Sequence, residues 1–364
     1  MTLVGYSVLV ALPAINSAWV EQLGFTEVQV NRVASADLLG LFMGAVIASV
    51  LIRKSSRRTL IYAGIGMAVI ANAFCTQYAD YQTTLALRSL AGLGSGLYTA
   101  VAVASLGANS KPREAFNWML LAFAISQFLE LQLIPHLTMN GIYIFFIGTY
   151  VVTLPFVRII PARASEPVSA RPAPSAQRPP ILAWVGIGAI VIAYVNIGAY
   201  WSNVELAASS AGLDTDWAGQ VIAWCSLLSF VGCFTAMWAL KKLGYDRPLL
   251  VTFVLMILAV GLMTFDISAA LFLISVAMFN FLWIFIDVYQ MGGVSVADRS
   301  GSAAAFIPGA QGLGQTAGPF AASIMLDVGW GFDGVFIMCA MASTGALFIY
   351  AFIYLKYRDQ TWPH

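Results

Sequence analysis

Long apolar stretches separated by short polar loops are the dominant pattern along this chain. A helix needs about 20 apolar residues to cross the hydrocarbon core of a bilayer. Twelve stretches come close to this length or reach it, and each predicts a membrane-spanning helix. Their approximate bounds are 2–19, 33–52, 59–77, 83–107, 114–137, 140–160, 181–202, 217–240, 248–265, 268–291, 302–326 and 332–356.

The composition agrees with a chain whose solvent is lipid. Of the 364 residues, 60% are hydrophobic and only 10% are charged, whereas about 25% are charged in soluble domains. The net charge of +1 leaves no basic surplus for nucleic acid, so we expect no nucleic-acid partner. The sequence therefore predicts an all-α membrane protein with twelve transmembrane helices and the lipid bilayer as its surroundings.

The distribution of cations predicts the orientation of these helices. With the N-terminus placed inside, only Arg32 and Arg88 of the 18 lysines and arginines lie outside the predicted cytoplasmic loops and tails. Such asymmetry follows the positive-inside rule. We therefore expect both termini to be cytoplasmic, in a membrane of the bacterial inner (plasma) type.

One proline-rich stretch divides the chain into two groups of six spans. Residues 161–180 contain six of the 14 prolines and no apolar run, which is typical of a semi-extended linker. We predict an N-terminal bundle at 1–160, this cytoplasmic linker at 161–180 and a C-terminal bundle at 181–364. The stretches around Arg58 and Arg247 align in register after the second span of each half, so the bundles are expected to be pseudo-symmetric. Repeated halves of this kind are a transporter architecture.

Arg88 is the most informative single residue. It lies inside a predicted span and is followed by Gly92, Gly94 and Gly96. A charge at membrane depth costs roughly 3 kcal/mol or more on insertion scales, so it normally faces a partner or a watery cavity. The glycines leave the helix surface bare, so that another helix or a substrate can approach the backbone.

Three carboxylates are candidates for proton coupling or charge relay together with Arg88. Glu130 lies at a depth similar to that of Arg88, which predicts an ion pair; it either exchanges protons or forms a static packing pair. Asp37, at the outer end of the second span, either joins this cluster or caps the helix at the water interface. Asp287 lies near the inner end of the tenth span. It either has a role in gating or proton coupling, or it faces a solvated vestibule without a function.

Uncharged polar and aromatic side chains at helical spacing are candidate contacts for a small-molecule substrate. The alternative is that they hydrogen-bond between helices. They are Asn196, Tyr200 and Asn203 on the seventh span, Asn280 and Trp283 on the tenth, and Gln311 and Gln315 on the eleventh.

Three motifs resemble the major facilitator superfamily. The first is Arg88 with its glycines. The second is the basic loop between the second and third spans, formed by Arg53, Lys54, Arg57 and Arg58. The third leads from Asp298 into the eleventh span, with packing or gating positions at Gly312, Gly314, Gly318 and Pro319.

This resemblance implies two six-helix bundles that rock around a midplane cavity. It predicts a secondary active transporter of a small organic solute that works by alternating access. Glu130 and Arg88 add the prediction that the transport is coupled to protons. An uncoupled uniporter or facilitator is the mechanistic alternative. A non-transporting membrane sensor is the second alternative, because Ile52 and Ser55 replace the aspartate and glycine usual in the family's basic loop.

The sequence contains no pattern typical of an enzyme. It has no phosphate-binding loop and only two histidines, and its four cysteines lie in apolar runs without metal-ligand spacing. We therefore expect no enzymatic activity, no cofactor and no metal, and we expect a monomer.

Overall fold

The fold is known from a computed structural model that describes residues 2–52, 54–107, 112–161, 181–244, 246–297 and 306–357. Every regular element in these residues is helical. The chain divides into two compact units, Met1–Ala170 and Arg171–His364. The division falls inside the predicted linker, of which residues 162–180 lie outside the described residues.

The N-terminal unit contains, within the described residues, seven α-helices and three short 3₁₀ turns. The turns are Val4–Tyr6, Ile134–His136 and Leu154–Ile159. The helices are α1 Ser7–Val10, α2 Leu12–Leu23, α3 Glu27–Leu51, α4 Arg57–Cys75, α5 Tyr81–Gly107, α6 Pro112–Leu133 and α7 Met139–Thr153.

The C-terminal unit also contains seven α-helices within the part of the chain that the structure describes. They are α8 Ile181–Ser210, α9 Thr215–Ser226, α10 Leu228–Leu243, α11 Asp246–Gly261, α12 Ala269–Ala297, α13 Ile307–Asp327 and α14 Gly331–Tyr357.

Eight helical stretches in the described residues are long and apolar enough to cross a membrane. They coincide with α3, α4, α5, α7 with its following turn, α8, α9–α10, α12 and α14. The other four predicted spans coincide with α1–α2, α6, α11 and α13. The all-helical fold is thus confirmed for the described residues, and the count of twelve stays a prediction.

Side chains in the loops define where several helices begin. The capping box of Thr26 and Gln29 starts α3. Asp214 accepts the backbone N–H of Trp217 at 2.8 Å before α9, and Asp80 accepts that of Thr83 at 2.9 Å before α5. This last bond holds the pKa of the exposed Asp80 carboxyl below its usual value.

The first predicted span is interrupted between α1 and α2. Ala11 leaves the helical conformation there, with φ −98° and ψ 11°. Pro13 follows in the first turn of α2, and it has no N–H with which to continue the hydrogen-bond ladder from α1. The stretch 2–19 is therefore a broken helix, in which α1 follows the turn Val4–Tyr6 and is only four residues long.

Candidate functional site

Arg88 of α5 is the centre of a buried polar cluster in the N-terminal unit. Its Nε donates to Asp37 Oδ2 of α3 at 2.7 Å, and its Nη2 forms a salt bridge with the same oxygen. Its Nη1 donates to Asn72 Oδ1 of α4 at 2.7 Å. The Arg88 side chain is 1% exposed. The charge at membrane depth is therefore neutralised inside the unit.

This geometry corrects one prediction and decides between two alternatives. The partner of Arg88 is Asp37 and not Glu130. Of the two alternatives for Asp37, the structure matches the one in which it joins the charge cluster, because its side chain is buried and paired with Arg88. Residue counting along a helix gives depth through the rise per residue. It does not say which face of a neighbouring helix meets α5, and here that face belongs to α3.

Aromatic side chains complete the surroundings of Arg88. The ring centroids of Tyr143 and Phe146 on α7 each lie 5.9 Å from the guanidinium carbon, within cation–π range. The indole Nε1 of Trp19 on α2 donates to the Tyr143 hydroxyl at 3.0 Å. The cluster thus connects five helices, namely α2, α3, α4, α5 and α7. Its contacts hold these helices together, which is a structural role.

The glycines after Arg88 allow two helices to pack directly on the backbone of α5. A Cβ added at Gly92 would overlap the carbonyl oxygen of Asp37, and one added at Gly96 would overlap that of Leu41, both on α3. On the other face of α5, a Cβ at Gly94 would lie 2.6 Å from the carbonyl oxygen of Gly64 on α4. The glycine spacing therefore serves helix packing around Arg88.

Glu130 of α6 lies apart from this cluster. Its side chain is 7% exposed. Its Oε1 accepts a hydrogen bond from Ser7 Oγ of α1 at 3.2 Å, and its Oε2 has no partner in the described residues. No lysine or arginine of the described ranges forms a salt bridge with it. Glu130 is thus, within these ranges, a buried carboxyl group without a neutralising cation.

Asp287 of α12 is held by a hydrogen-bonded chain in the C-terminal unit. Its Oδ1 accepts from the Tyr194 hydroxyl of α8 at 2.6 Å, and that hydroxyl accepts from Gln311 Nε2 of α13 at 2.7 Å. This chain joins two predicted site residues, Asp287 and Gln311, through Tyr194, which the sequence did not single out as a site residue. Tyr194 lies two residues before Asn196 and therefore on a different face of α8 from the predicted stripe, so helical spacing gave no signal for it.

The polar stripe predicted on α8 is enclosed in this conformation. Asn196, Tyr200 and Asn203 are each 1% exposed or less. The Tyr200 hydroxyl donates to Ser275 Oγ at 2.8 Å, because the Ser275 hydrogen is used on the carbonyl oxygen of Ala259 at 2.6 Å. The Tyr200 bond joins α8 to α12 and so matches the packing alternative. Asn203 Nδ2 instead donates within α8 to a backbone carbonyl oxygen at 2.8 Å, and Asn196 Oδ1 has no partner in the described residues. Contact with substrate remains a prediction for all three.

An aromatic group surrounds the predicted residue Trp283. Its ring centroid lies 5.9 Å from that of Trp201 and 5.9 Å from that of Phe279. Trp283 Nε1 has no hydrogen-bond partner in the described residues, and the side chain is 7% exposed. The neighbouring Asn280 is 1% exposed and donates to the Val276 carbonyl oxygen at 2.9 Å.

The eleventh predicted span packs closely on α8 through its small residues. Added Cβ atoms at Gly314 and Gly318 would overlap backbone atoms of α8. Conversely, a Cβ at Gly198 would lie 2.5 Å from the carbonyl oxygen of Gln315. Pro319 is buried inside α13, and Gly312 is half-buried. The packing part of the prediction matches this geometry, whereas the segment 298–305 lies outside the described residues.

The four basic-loop residues have different surroundings. Arg53 lies outside the described residues, and Lys54 is exposed. Arg58 donates through Nε to the Ile160 carbonyl oxygen at 2.7 Å and through Nη2 to that of Arg158 at 2.9 Å, tying the start of α4 to the end of the turn that follows α7. Arg57 is buried, at 7% exposed.

The described residues contain no group of three or more His, Cys, Asp or Glu side chains that could hold a metal ion. The arrangement instead consists of helices packed through glycines, with a buried ion pair between Arg88 and Asp37 and a separate buried carboxyl group at Glu130. The sequence profile of the Major Facilitator Superfamily matches residues 1–297.

The chain belongs to this superfamily. Its members are transporters by family and fold, which agrees with the expected class of protein. No curated protein matches the chain.

Solved structures of superfamily-type transporters share the fold along nearly the whole chain. The nucleoside transporter NupG superposes with a TM-score of 0.76 at 12% identity, over 97% of this chain and 97% of NupG. The POT family transporter PepTSo gives 0.70 at 10% identity, over 99% and 98%. A bacterial homologue of the human lysosomal transporter Spinster, inward-facing and unoccupied, gives 0.63 at 14% identity, over 98% and 96%. At these identities the likeness shows the fold alone.

Proposed function

We propose that this chain is a secondary active transporter that moves a small organic solute by alternating access and couples this movement to protons through Glu130. The observation that carries the coupling is the buried Glu130 carboxyl, with one oxygen unpartnered and no salt bridge among the described residues. Asp37 does not compete for this role, because Arg88 already neutralises it.

The physical basis is the difference between the charged and neutral forms of Glu130. An isolated carboxylate in a dry environment is strongly unfavourable, and taking up a proton removes that penalty. The Ser7 hydroxyl supplies only one neutral hydrogen bond to the charged form. A conformational change that opens Glu130 to water would therefore release a proton, and closure would take one up.

The test is Glu130→Gln, which copies the protonated side chain and cannot titrate. We expect this variant to bind and exchange substrate but to lose proton-driven accumulation. The measurement is counterflow beside pH-driven uptake or efflux in the same proteoliposomes. Glu21→Gln, at an exposed position near the end of α2, is the matched control and should retain both activities.

Full proton-driven accumulation by Glu130→Gln would overturn this assignment. Asp287 is then the next carboxylate to test, by Asp287→Asn, because the hydrogen-bonded chain that holds it consists of the neutral side chains of Tyr194 and Gln311. Solute flux that never responds to pH in the wild type would favour the uniporter alternative. Absence of any flux across a broad solute panel would favour the sensor.

For the solute, we propose one that combines an aromatic ring with hydrogen-bond acceptors. Trp283 offers an indole N–H that is unpartnered in the described residues, beside the rings of Trp201 and Phe279. Stacking and one donated hydrogen bond would suit such a ring. Nucleosides are the first class to screen, since they have this chemistry and since NupG, named a nucleoside transporter, shares the fold.

We also propose twelve membrane-spanning helices with both termini cytoplasmic, in a membrane of the bacterial inner type. The cation distribution supports this orientation. In a background without the four native cysteines, Ala170→Cys should react with an impermeant thiol reagent only from the cytoplasmic side. Labelling of intact cells from outside would contradict the orientation and the linker assignment together.

A further inference from the structure

A large cavity lies in the N-terminal unit, at the end where α4 begins and α5 ends. Its volume is about 1040 Å³, at the top of the roughly 300–1,000 Å³ typical of ligand pockets. The last turns of α5, one face of α7 and the turn that follows α7 form its walls. Most of the lining is apolar, as at Phe145, Val152 and Phe156.

Arg57 is the cationic residue of this lining within the described residues. The side chain is 7% exposed, yet its Nε and Nη1 atoms have no hydrogen-bond partner in the described part of the chain. No aspartate or glutamate of that part lines the cavity. A buried guanidinium in this state is costly unless an anion accepts its hydrogen bonds.

The start of α4 adds to the attraction for an anion. Arg57 is the first residue of this helix, and Ser56 before it makes no side-chain capping hydrogen bond. The positive end of the helix dipole therefore lies beside the guanidinium. The exposed Lys54 lies three residues before Arg57.

We propose that this cavity binds an anionic phospholipid, with its phosphate on Arg57 and an acyl chain along the apolar wall. Arginine pairs with phosphate through parallel N–H donors, and basic pockets between membrane helices hold anionic lipid head groups. Only a ligand with both parts satisfies the unpartnered guanidinium and fills the apolar remainder. This site is independent of the proposed transport function.

The head-group test compares unfolding temperatures of the purified full chain in detergent. The additions are phosphatidylglycerol, phosphatidylcholine with the same acyl chains, or inorganic phosphate. We expect stabilisation by phosphatidylglycerol alone. Arg57→Gln should weaken the apparent affinity for phosphatidylglycerol by roughly tenfold or more, whereas Lys54→Gln, a charge loss at an exposed position, should leave it within about threefold.

The acyl-chain test uses glycines. Gly148 of α7 lines the cavity, and a Cβ added there meets no atom within 4 Å. Gly148→Leu should therefore fold normally but occupy the space of the acyl chain and weaken the response to phosphatidylglycerol. Gly66→Leu is the matched control, since Gly66 has equally open surroundings but does not line the cavity. The comparison of Gly148→Leu with Gly66→Leu still tests the lipid site if Arg57→Gln fails to fold.

Native mass spectrometry of the same variants counts the retained lipids. Loss of one bound phosphatidylglycerol in Arg57→Gln and in Gly148→Leu would support the proposal. An unchanged response in either folded variant would overturn it. Equal stabilisation by inorganic phosphate and phosphatidylglycerol would show a free-anion site and would overturn the lipid assignment.

Discussion

Replacing Arg88 by methionine is expected to lower the free energy of unfolding by about 3–5 kcal/mol. The substitution removes the cation from a pair that is almost completely buried and leaves the Asp37 carboxylate without its counter-charge. Asn72 loses the donor to its side-chain oxygen at the same time. Thermal or denaturant unfolding of the purified protein in detergent measures the change.

The double variant Arg88→Met with Asp37→Leu separates charge from packing. Replacing both members of a buried ion pair by apolar side chains of similar size is often close to neutral. We therefore expect the double variant to recover most of the lost stability. If Arg88→Met alone unfolds like the wild type and only transport is lost, the cluster serves the solute pathway and not the fold.

The second large effect is expected from Gly96→Ala. The added methyl group would overlap the carbonyl oxygen of Leu41 on α3, and backbone cannot move aside as a flexible side chain does. Overpacking of this kind costs about 1–3 kcal/mol. We expect a lower unfolding temperature and a lower yield of folded protein.

Gly66→Ala is the matched control for Gly96→Ala. Both glycines lie inside helices, but an added Cβ at Gly66 meets open space. Because alanine is the better helix former, this control should leave the unfolding temperature unchanged or raise it slightly. A Gly96→Ala variant as stable as Gly66→Ala would contradict the close approach of α3 and α5.

The helices and their approximate positions could be predicted from the sequence, because the length of an apolar stretch is a strong signal in a membrane protein. The break at Ala11 was not foreseen, although Pro13 in the first span was its signal. The importance of Arg88 was equally readable, since a charge at membrane depth is costly. The partner of Arg88 could not be predicted in the same way. Hydropathy indicates how deep a residue lies in the membrane, but it does not indicate which face of α3 points towards α5.

Other side-chain contacts show the same limit. Asn72 is a polar side chain within an otherwise apolar stretch of α4, and that contrast could have marked it as a partner for Arg88. Ser7 gave no comparable signal, because serine is common in membrane helices and its contact with Glu130 joins residues 123 positions apart. The enclosure of Tyr200 depends on Ser275 and Phe279, which only the packed unit brings together.

The interruption at Ala11 separates two attachments of the N-terminal segment. Trp19 anchors α2 to α7, whereas Ser7 links the four-residue α1 to Glu130. Since small segments open at a lower free energy than whole domains, the backbone amides of α1 should exchange with deuterium before those of α2. The rate should also change with the charge on Glu130, because ionised and neutral carboxyls hold the serine hydroxyl differently. Protonation of Glu130 on α6 would thus change how often the four-residue α1 opens.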